Sequence, residues 1–175
     1  MESSGIIGSS VPRIDAVEKV TGRAVYGPDL KLPGMLYGKV LRSPLPHARI
    51  LNVDTSRAER LPGVKAVGTG KDLMIRYGLV IQDQPPFCFD KVRYIGDPVA
   101  GVAAVDPDTA SEALGLIRVD YEELPPVFDP REAMEPGAPL VHEDLGGYWT
   151  VPIFFPKPGT NICNHFKIRK GDVEE

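Results

Sequence analysis

At 175 residues, with 42% hydrophobic and 25% charged side chains, the chain is long enough for one ordinary globular core. Aromatic residues make up only 7%, and 18 Gly with 18 Pro break the chain into short elements and turns, which argues against a helical bundle. The net charge of −4 is uneven: residues 1–100 carry 14 Lys/Arg against 10 Asp/Glu, and residues 101–175 carry 6 against 14. No run of Lys or Arg exceeds two and none is interleaved with aromatics, so nucleic acid is not an expected partner. Two cysteines, Cys88 and Cys163, make no disulfide framework and suit a reducing cytoplasm. The start Met-Glu-Ser-Ser-Gly lacks the basic and apolar regions of a secretory signal. No stretch approaches the about 20 apolar residues of a membrane span, so no membrane is expected as a partner.

Residues 1–12 are small and polar and read as a loose arm. Arg13–Val20 sets Ile14, Val17 and Val20 at helical spacing over a stretch too short to fix a helix. Leu32-Pro33-Gly34 is a turn signal, and Met35–Arg42 reads as a strand ended by Ser43-Pro44-Leu45-Pro46. Ala48–Val53 is a second strand. Asp54, Thr55 and Ser56 offer N-caps for a short helix over Arg57–Leu61, and Val64–Thr69 is a third strand. Gly70–Leu73 suits one helical turn, and residues 74–89, with Pro85-Pro86, suit a crossing loop.

The segment Asp90–Val105 is the centre of the reading. A short strand is expected at Val92–Tyr94, a turn at Gly96-Asp97-Pro98, and a longer strand at Val99–Val105. That apolar run predicts a strand covered on both faces, and its small residues Ala100, Gly101, Ala103 and Ala104 predict close backbone packing. Asp106 caps a helix that begins at Pro107 and runs to about Leu116, with Ala110, Ala113, Leu114 and Ile117 on one face. Arg118–Leu124 alternates in polarity as a strand with one wet face. Asp129-Pro130 opens a second short helix to Met134. From Glu135 onward Pro and Gly exclude long elements, yet Tyr148, Trp149, Phe154 and Phe155 form the densest aromatic cluster. Such a tail needs a surface to pack on, in this chain or another. In isolation residues 145–165 are expected to be mobile or held by a neighbouring chain. The element order gives a compact α+β domain, with parallel and antiparallel pairings both open.

Chemical motifs are sparse. Cys163-Asn164-His165 is the only near pair of metal-ligand types; Cys88, His47 and His142 are scattered, and satisfied polar or buried thiol roles suit them better. There is no Gly-x-Ser-x-Gly, Ser43-Pro44 is a turn, and Cys88 between two phenylalanines reads as an unreactive thiol. Glu122 and Glu123 point to opposite faces of a strand, and Glu143-Asp144 suits a solvated edge. Thr69-Gly70-Lys71 lacks the first glycine and the spacing of a phosphate-binding loop. His47, held between Pro46 and Ala48-Arg49, is the most interesting polar residue, and a structural hydrogen bond is its expected role. Physics alone assigns no catalytic, cofactor-binding or metal-binding residue.

Several segments resemble one family in order and at matching separations: Val11–Tyr26, Leu32–Pro44, Pro46–Ile50, Leu61–Val64, Asp90–Ala100, Val119–Pro125 and Val141–Asp144. The family is the molybdenum-binding large subunit of xanthine dehydrogenase, aldehyde oxidase and carbon monoxide dehydrogenase-type hydroxylases, and the chain resembles its N-terminal a/b hammerhead portion. The start looks most like bacterial relatives, including hydroxybenzoyl-CoA reductase-like proteins. The resemblance implies an α+β, mixed-sheet hammerhead domain with short helices and a Pro/Gly-rich extended C-terminal tail. It divides the chain into an arm (1–19), the hammerhead (20–135) and a linker (136–175) leading to a molybdenum-cofactor domain.

Enzymes of this kind hydroxylate a carbon of a heterocycle, aldehyde or aromatic thioester with oxygen from water. Their electrons leave molybdenum-molybdopterin through iron–sulfur clusters and FAD, usually on partner subunits. The glycine-rich pterin loops, the glutamine near the metal and the catalytic glutamate of the family lie downstream of Glu175, so none is carried onto this chain. The resemblance implies a cytoplasmic, structural part of an oxidoreductase that binds no cofactor by itself. Its partners would be the remainder of the molybdenum subunit and the iron–sulfur and flavin subunits. A stand-alone interaction or scaffold module descended from such a subunit is the alternative.

Overall fold

A computed structural model describes residues 8–171, so the expectations for residues 1–7 and 172–175 lie outside the described residues. The chain forms two units, one ending at Met35 and one beginning at Leu36. In the first, α1 (Ala16–Val20) is a helix of five residues, with Lys19 beside Asp15 and the Thr21 hydroxyl donating to the Val17 carbonyl at 2.6 Å. A 3-10 turn follows at Gly27–Asp29. No described residue of this unit is buried, and Ile14 and Val20 stand almost wholly in water. The apolar spacing noticed in the sequence therefore makes a helix without making a core.

The second unit holds six strands and two further helices: β1 (Tyr37–Arg42), β2 (Ala48–Asp54), α2 (Ser56–Glu59), β3 (Val64–Thr69), β4 (Lys91–Val92), β5 (Pro98–Ala104), α3 (Pro107–Leu116) and β6 (Arg118–Glu123). They form two three-stranded sheets, ordered β1-β5-β3 and β4-β2-β6. The α+β class stands, but every pairing between these strands is antiparallel, where a mixed sheet was expected. Parallel neighbours need a crossover that returns the chain to the same end, and the only regular helix of length here, α3, joins strands of different sheets.

The central strand β5 has no charged side chain, and almost all of it is buried. On one face Ala100 and Val102 meet Ala113 and Ile117 at the α3 end and Ala58 of α2. On the other, Val99 packs with Ala48, Cys88 and Val92. Burying each such valine contributes roughly 1.5–3 kcal/mol. Val53 and Val119 touch both clusters and tie the two sheets into one core. Gly101 lies under Phe87, so close that a Cβ there would stand 2.6 Å from the ring carbon Cζ. The close approach at Gly101 is thus made by a side-chain ring, where close packing of another backbone was expected of the run.

Local chemistry sets the ends. Asp106 accepts from the Thr109 amide at 2.8 Å and its hydroxyl at 2.7 Å, while Pro107 fills the first helical position. Before β5, Gly96 takes φ +96°, which only glycine adopts freely, and Asp97 accepts from the Arg93 amide at 2.8 Å. The short strand expected at Val92–Tyr94 is displaced to Lys91–Val92, because Arg93 and Tyr94 are already bound into that turn. The second Asp-Pro start gives only a 3-10 turn, Glu132–Met134, led in by the Arg131 and Glu132 amides, which donate to the Asp129 carboxylate. Thr69–Asp72 closes as a tight turn on the Asp72 carboxylate.

The tail departs from expectation. The Gln82 amide donates to the Trp149 carbonyl at 2.9 Å, the Val151 amide donates to the Val80 carbonyl at 3.0 Å, and Ile81 pairs with Thr150. Leu145 is buried, and Asn161 binds the Val141 amide and the Ala133 and Pro139 carbonyls. Residues 145–165 are therefore fastened to their own unit rather than waiting for a neighbour. Backbone groups do the fastening, so the side chains of Trp149, Ile153 and Phe155 remain largely exposed.

Candidate functional site

Each residue weighed in the sequence has a definite place. His47 is buried at the start of β2, where Nδ1 lies 2.8 Å from the Pro125 carbonyl oxygen. A carbonyl only accepts, so Nδ1–H donates, while Nε2 is sealed and without a partner among the described residues. The His47 carbonyl also receives the Leu124 amide, so this residue clamps the end of β6 to the start of β2. The structural reading of His47 fits this geometry.

Cys88 is sealed in the second core cluster, and burial first, then the nearby Asp97 carboxylate, push its thiol far up. Cys163 is exposed, so the two thiols lie in opposite environments. Among the described residues no group of three or more His, Cys, Asp or Glu is arranged to hold a metal ion. Arg49 reaches Glu122 across the β2–β6 pair, which accounts for that carboxylate on an open surface. Gly70, of the phosphate-loop lookalike, is pressed against backbone: a Cβ there would stand 2.4 Å from the Cys88 carbonyl oxygen.

Polar groups do converge in one place, where the loop 74–90, β4 and the segment 140–148 meet. Arg93, with a side chain 8% exposed, donates Nη1 and Nη2 to the two oxygens of Asp90 at 3.3 and 3.1 Å, and Nη1 also to the Lys91 carbonyl at 3.0 Å. Its Nε has no partner among the described residues. Burial pulls the Asp90 carboxyl up, but the hydrogen bonds and charge of Arg93, helped by Arg76, hold it below the usual carboxylate value. Arg76 lies over the rings of Phe89 at 4.8 Å and Tyr148 at 5.4 Å and stands 3.6 Å from Asp90. Lys91 donates to Glu143 at 2.7 Å and to the Leu140 carbonyl at 3.1 Å. His142 stands beside Tyr148 and Asp83. Of the residues weighed in the sequence, this cluster gathers Glu143 and His142; it does not include His47, Cys163 or His165.

Sequence reasoning missed Arg76, Lys91 and Asn161. Asp90 and Arg93, three apart and flanking a buried strand, were the available signal for the ion pair. Nothing local marked Arg76, whose partners lie 13, 14 and 72 positions away. Chemically the cluster is a set of matched donors and acceptors that fixes one segment against another. On the same loop and on the tail, the apolar side chains of Met74, Ile75, Tyr77, Leu79, Trp149 and Ile153 are exposed.

A protein of Bacillus subtilis described as a probable xanthine dehydrogenase component is 46% identical over 165 residues, covering 93% of this chain and 20% of that protein. A "Nicotinate dehydrogenase large molybdopterin subunit" of Eubacterium barkeri is 42% identical over 144 residues, covering 79% of this chain and 33% of its own length. Among solved structures, a Cu,Mo-CO dehydrogenase in its carbon monoxide reduced state is similar with a TM-score of 0.75 and 42% identity, over 78% of this chain and 18% of that one. The chain thus spans a fifth to a third of the length of these two curated relatives. The family described as "Aldehyde oxidase and xanthine dehydrogenase, a/b hammerhead domain" matches residues 21–125, more than half of the chain, and with the two-sheet core above it shows that this protein belongs to that family.

Proposed function

We propose that the chain is the N-terminal structural portion of the large, molybdenum-cofactor-binding subunit of a xanthine dehydrogenase/aldehyde oxidase-type oxidoreductase. It would support the cofactor domain and the packing of subunits without catalysing alone. The observation that carries this reading is coverage: 93% of the chain aligns at 46% identity with a fifth of a relative that is named as part of a dehydrogenase. The proposed division is an arm at 1–19, the hammerhead at 20–135 and a linker at 136–175. Its proposed partners are the remainder of the molybdenum subunit and iron–sulfur and flavin subunits. The proposed compartment is the cytoplasm; no helix among the described residues is long and apolar enough to cross a membrane.

The residues at hand do not fit a pterin or an iron–sulfur cluster. Cys88 is sealed and Cys163 lies apart and exposed. The Thr69 amide, which a phosphate would need, is taken by Asp72, and Gly70 is closed off by Cys88. No catalytic, cofactor-binding or metal-binding residue is therefore proposed in this chain, and molybdenum-molybdopterin, iron–sulfur clusters and FAD are assigned to the parent enzyme. Elemental analysis of the purified 175-residue chain should find neither molybdenum nor iron in stoichiometric amount; one molybdenum per chain would overturn the assignment. Sequencing the gene beyond the Glu175 codon separates the readings further. A frame continuing into a pterin-binding domain supports a subunit portion, and an immediate stop codon would favour a stand-alone scaffold.

A further inference from the structure

The unit that ends at Met35 has order without a core. At the end of α1 the Thr21 amide donates to the Val17 carbonyl at 3.1 Å, and the Arg23 and Ala24 amides donate to the Glu18 carbonyl at 2.8 and 3.0 Å. Yet none of its described residues is buried, and Ile14, Val17, Val20, Tyr26, Leu30 and Leu32 are all exposed. Fixing a residue costs conformational entropy that burial has to offset. A helix of five residues is also far below the length that holds in water by itself. The charges beside the helix are turned on one another, since Arg13 and Lys19 both hold Asp15. What stays open is an apolar face, with Val17 and Val20 three residues apart on it.

We propose that this apolar face docks on the part of the large subunit that follows Glu175, and that docking is what holds α1 in shape. The inference rests on the subunit reading above and names the body that covers the arm. α1 lies ahead of residues 21–125, which the hammerhead family matches. The Bacillus subtilis relative nevertheless aligns over 93% of the chain, a share too large to leave α1 out. The arm therefore goes with the long subunit and not with the hammerhead core alone. This chain covers 20% of that relative, so most of the longer protein lies outside the shared portion and is available as cover. Because Arg13, Asp15 and Lys19 already satisfy one another, the contact is apolar and calls for no charged partner surface. Order in the arm is then gained on docking, as for a segment that folds when it binds.

Hydrogen exchange at the Thr21, Arg23 and Ala24 amides tests this in the 175-residue chain and in the subunit expressed from the gene read on past Glu175. In the dilute 175-residue chain these amides should exchange within about tenfold of the unstructured rate. In the full subunit they should exchange about a hundredfold more slowly, and about 1 M salt should leave that protection in place. I14D/V20D in the full subunit should restore fast exchange at the three amides and leave the β5 amides as protected as before. Slow exchange already in the dilute 175-residue chain would mean that its own second unit covers the arm. Protection that grows with the concentration of that chain would mean that a second copy does, and fast exchange in the full subunit that nothing does. Each of these overturns the proposal, and the wild-type comparison decides it should I14D/V20D fail to fold. A stop codon directly after Glu175 would instead overturn the subunit reading, and this inference with it.

Discussion

Lys91 Nζ lies 2.7 Å from Glu143 Oε1, and the lysine side chain is 7% exposed while the glutamate is 59% exposed. A sealed cation is thus joined to a wet anion, and the two ends of the bridge are not equivalent. E143Q leaves the ammonium with the Leu140 carbonyl and a weaker neutral acceptor. It should cost about 1 kcal/mol, below the usual value for a charged hydrogen bond because the carboxylate is solvated. K91M keeps the buried stem and removes the charge, so it should cost less than E143Q. Urea unfolding of both variants checks the order; a larger loss in K91M would mean that the charge, not the packing, holds the segment.

Asp90 is the only carboxylate bonded to the Arg93 guanidinium among the described residues. D90N leaves a buried cation uncompensated. A broken buried pair typically costs about 3–5 kcal/mol, and the 40% exposure of Asp90 lowers the expectation to about 2 kcal/mol. Because the folded carboxyl sits below its ordinary 3.8, its contribution is present above that pH and is lost as pH falls through the lowered value. Stability of the wild type should therefore fall more steeply below about pH 4 than that of D90N in acid titrations followed by circular dichroism.

Two glycines test which neighbours can give way. At Gly101 an added Cβ meets the tip of the Phe87 ring, which can shift, so G101A should cost about 1 kcal/mol. At Gly70 the same atom meets the Cys88 carbonyl at 2.4 Å and the Phe87 carbonyl at 2.7 Å, and backbone cannot turn aside. G70A should cost about 2–3 kcal/mol or more. Thermal unfolding should rank G70A below G101A.

The thiols should separate cleanly. A disulfide reagent at neutral pH should modify Cys163 quickly and Cys88 only when the chain unfolds, because Cys88 is sealed and its thiolate is strongly disfavoured. Two fast thiols in the native chain would contradict the buried placement.

Much of the second unit was legible because its signals are local. Asp106-Pro107 fixes the start of α3, and the uncharged run through Val99–Ala104 could only be a strand covered on both faces. Strand pairing was not legible, since the alternation that marks β6 does not name its partner. The tail was misread for a related reason. Most of its anchors are backbone amides and the side chain of Asn161, which carry no hydrophobic signature; of its aromatics Tyr148 meets Arg76 and His142, while Trp149 and Phe155 stay largely exposed. The charged cluster was half visible in Asp90 and Arg93. The other half, Arg76 with Tyr148, depends on a meeting across more than seventy positions.

The placement of β5 bears on how the protein is born. β1 and β3 both pair with β5 and not with each other, so neither has a sheet partner until residues 98–104 have been made. Until then the emerging chain carries two unpaired strands whose edges invite the wrong neighbour. Closing that sheet joins segments some thirty to seventy positions apart, the kind of long-range pairing that makes folding slow. In a cell, the emerging nascent chain should need shielding until its central strand arrives, and a slow translation step just after Ala104 would give the sheet time to close.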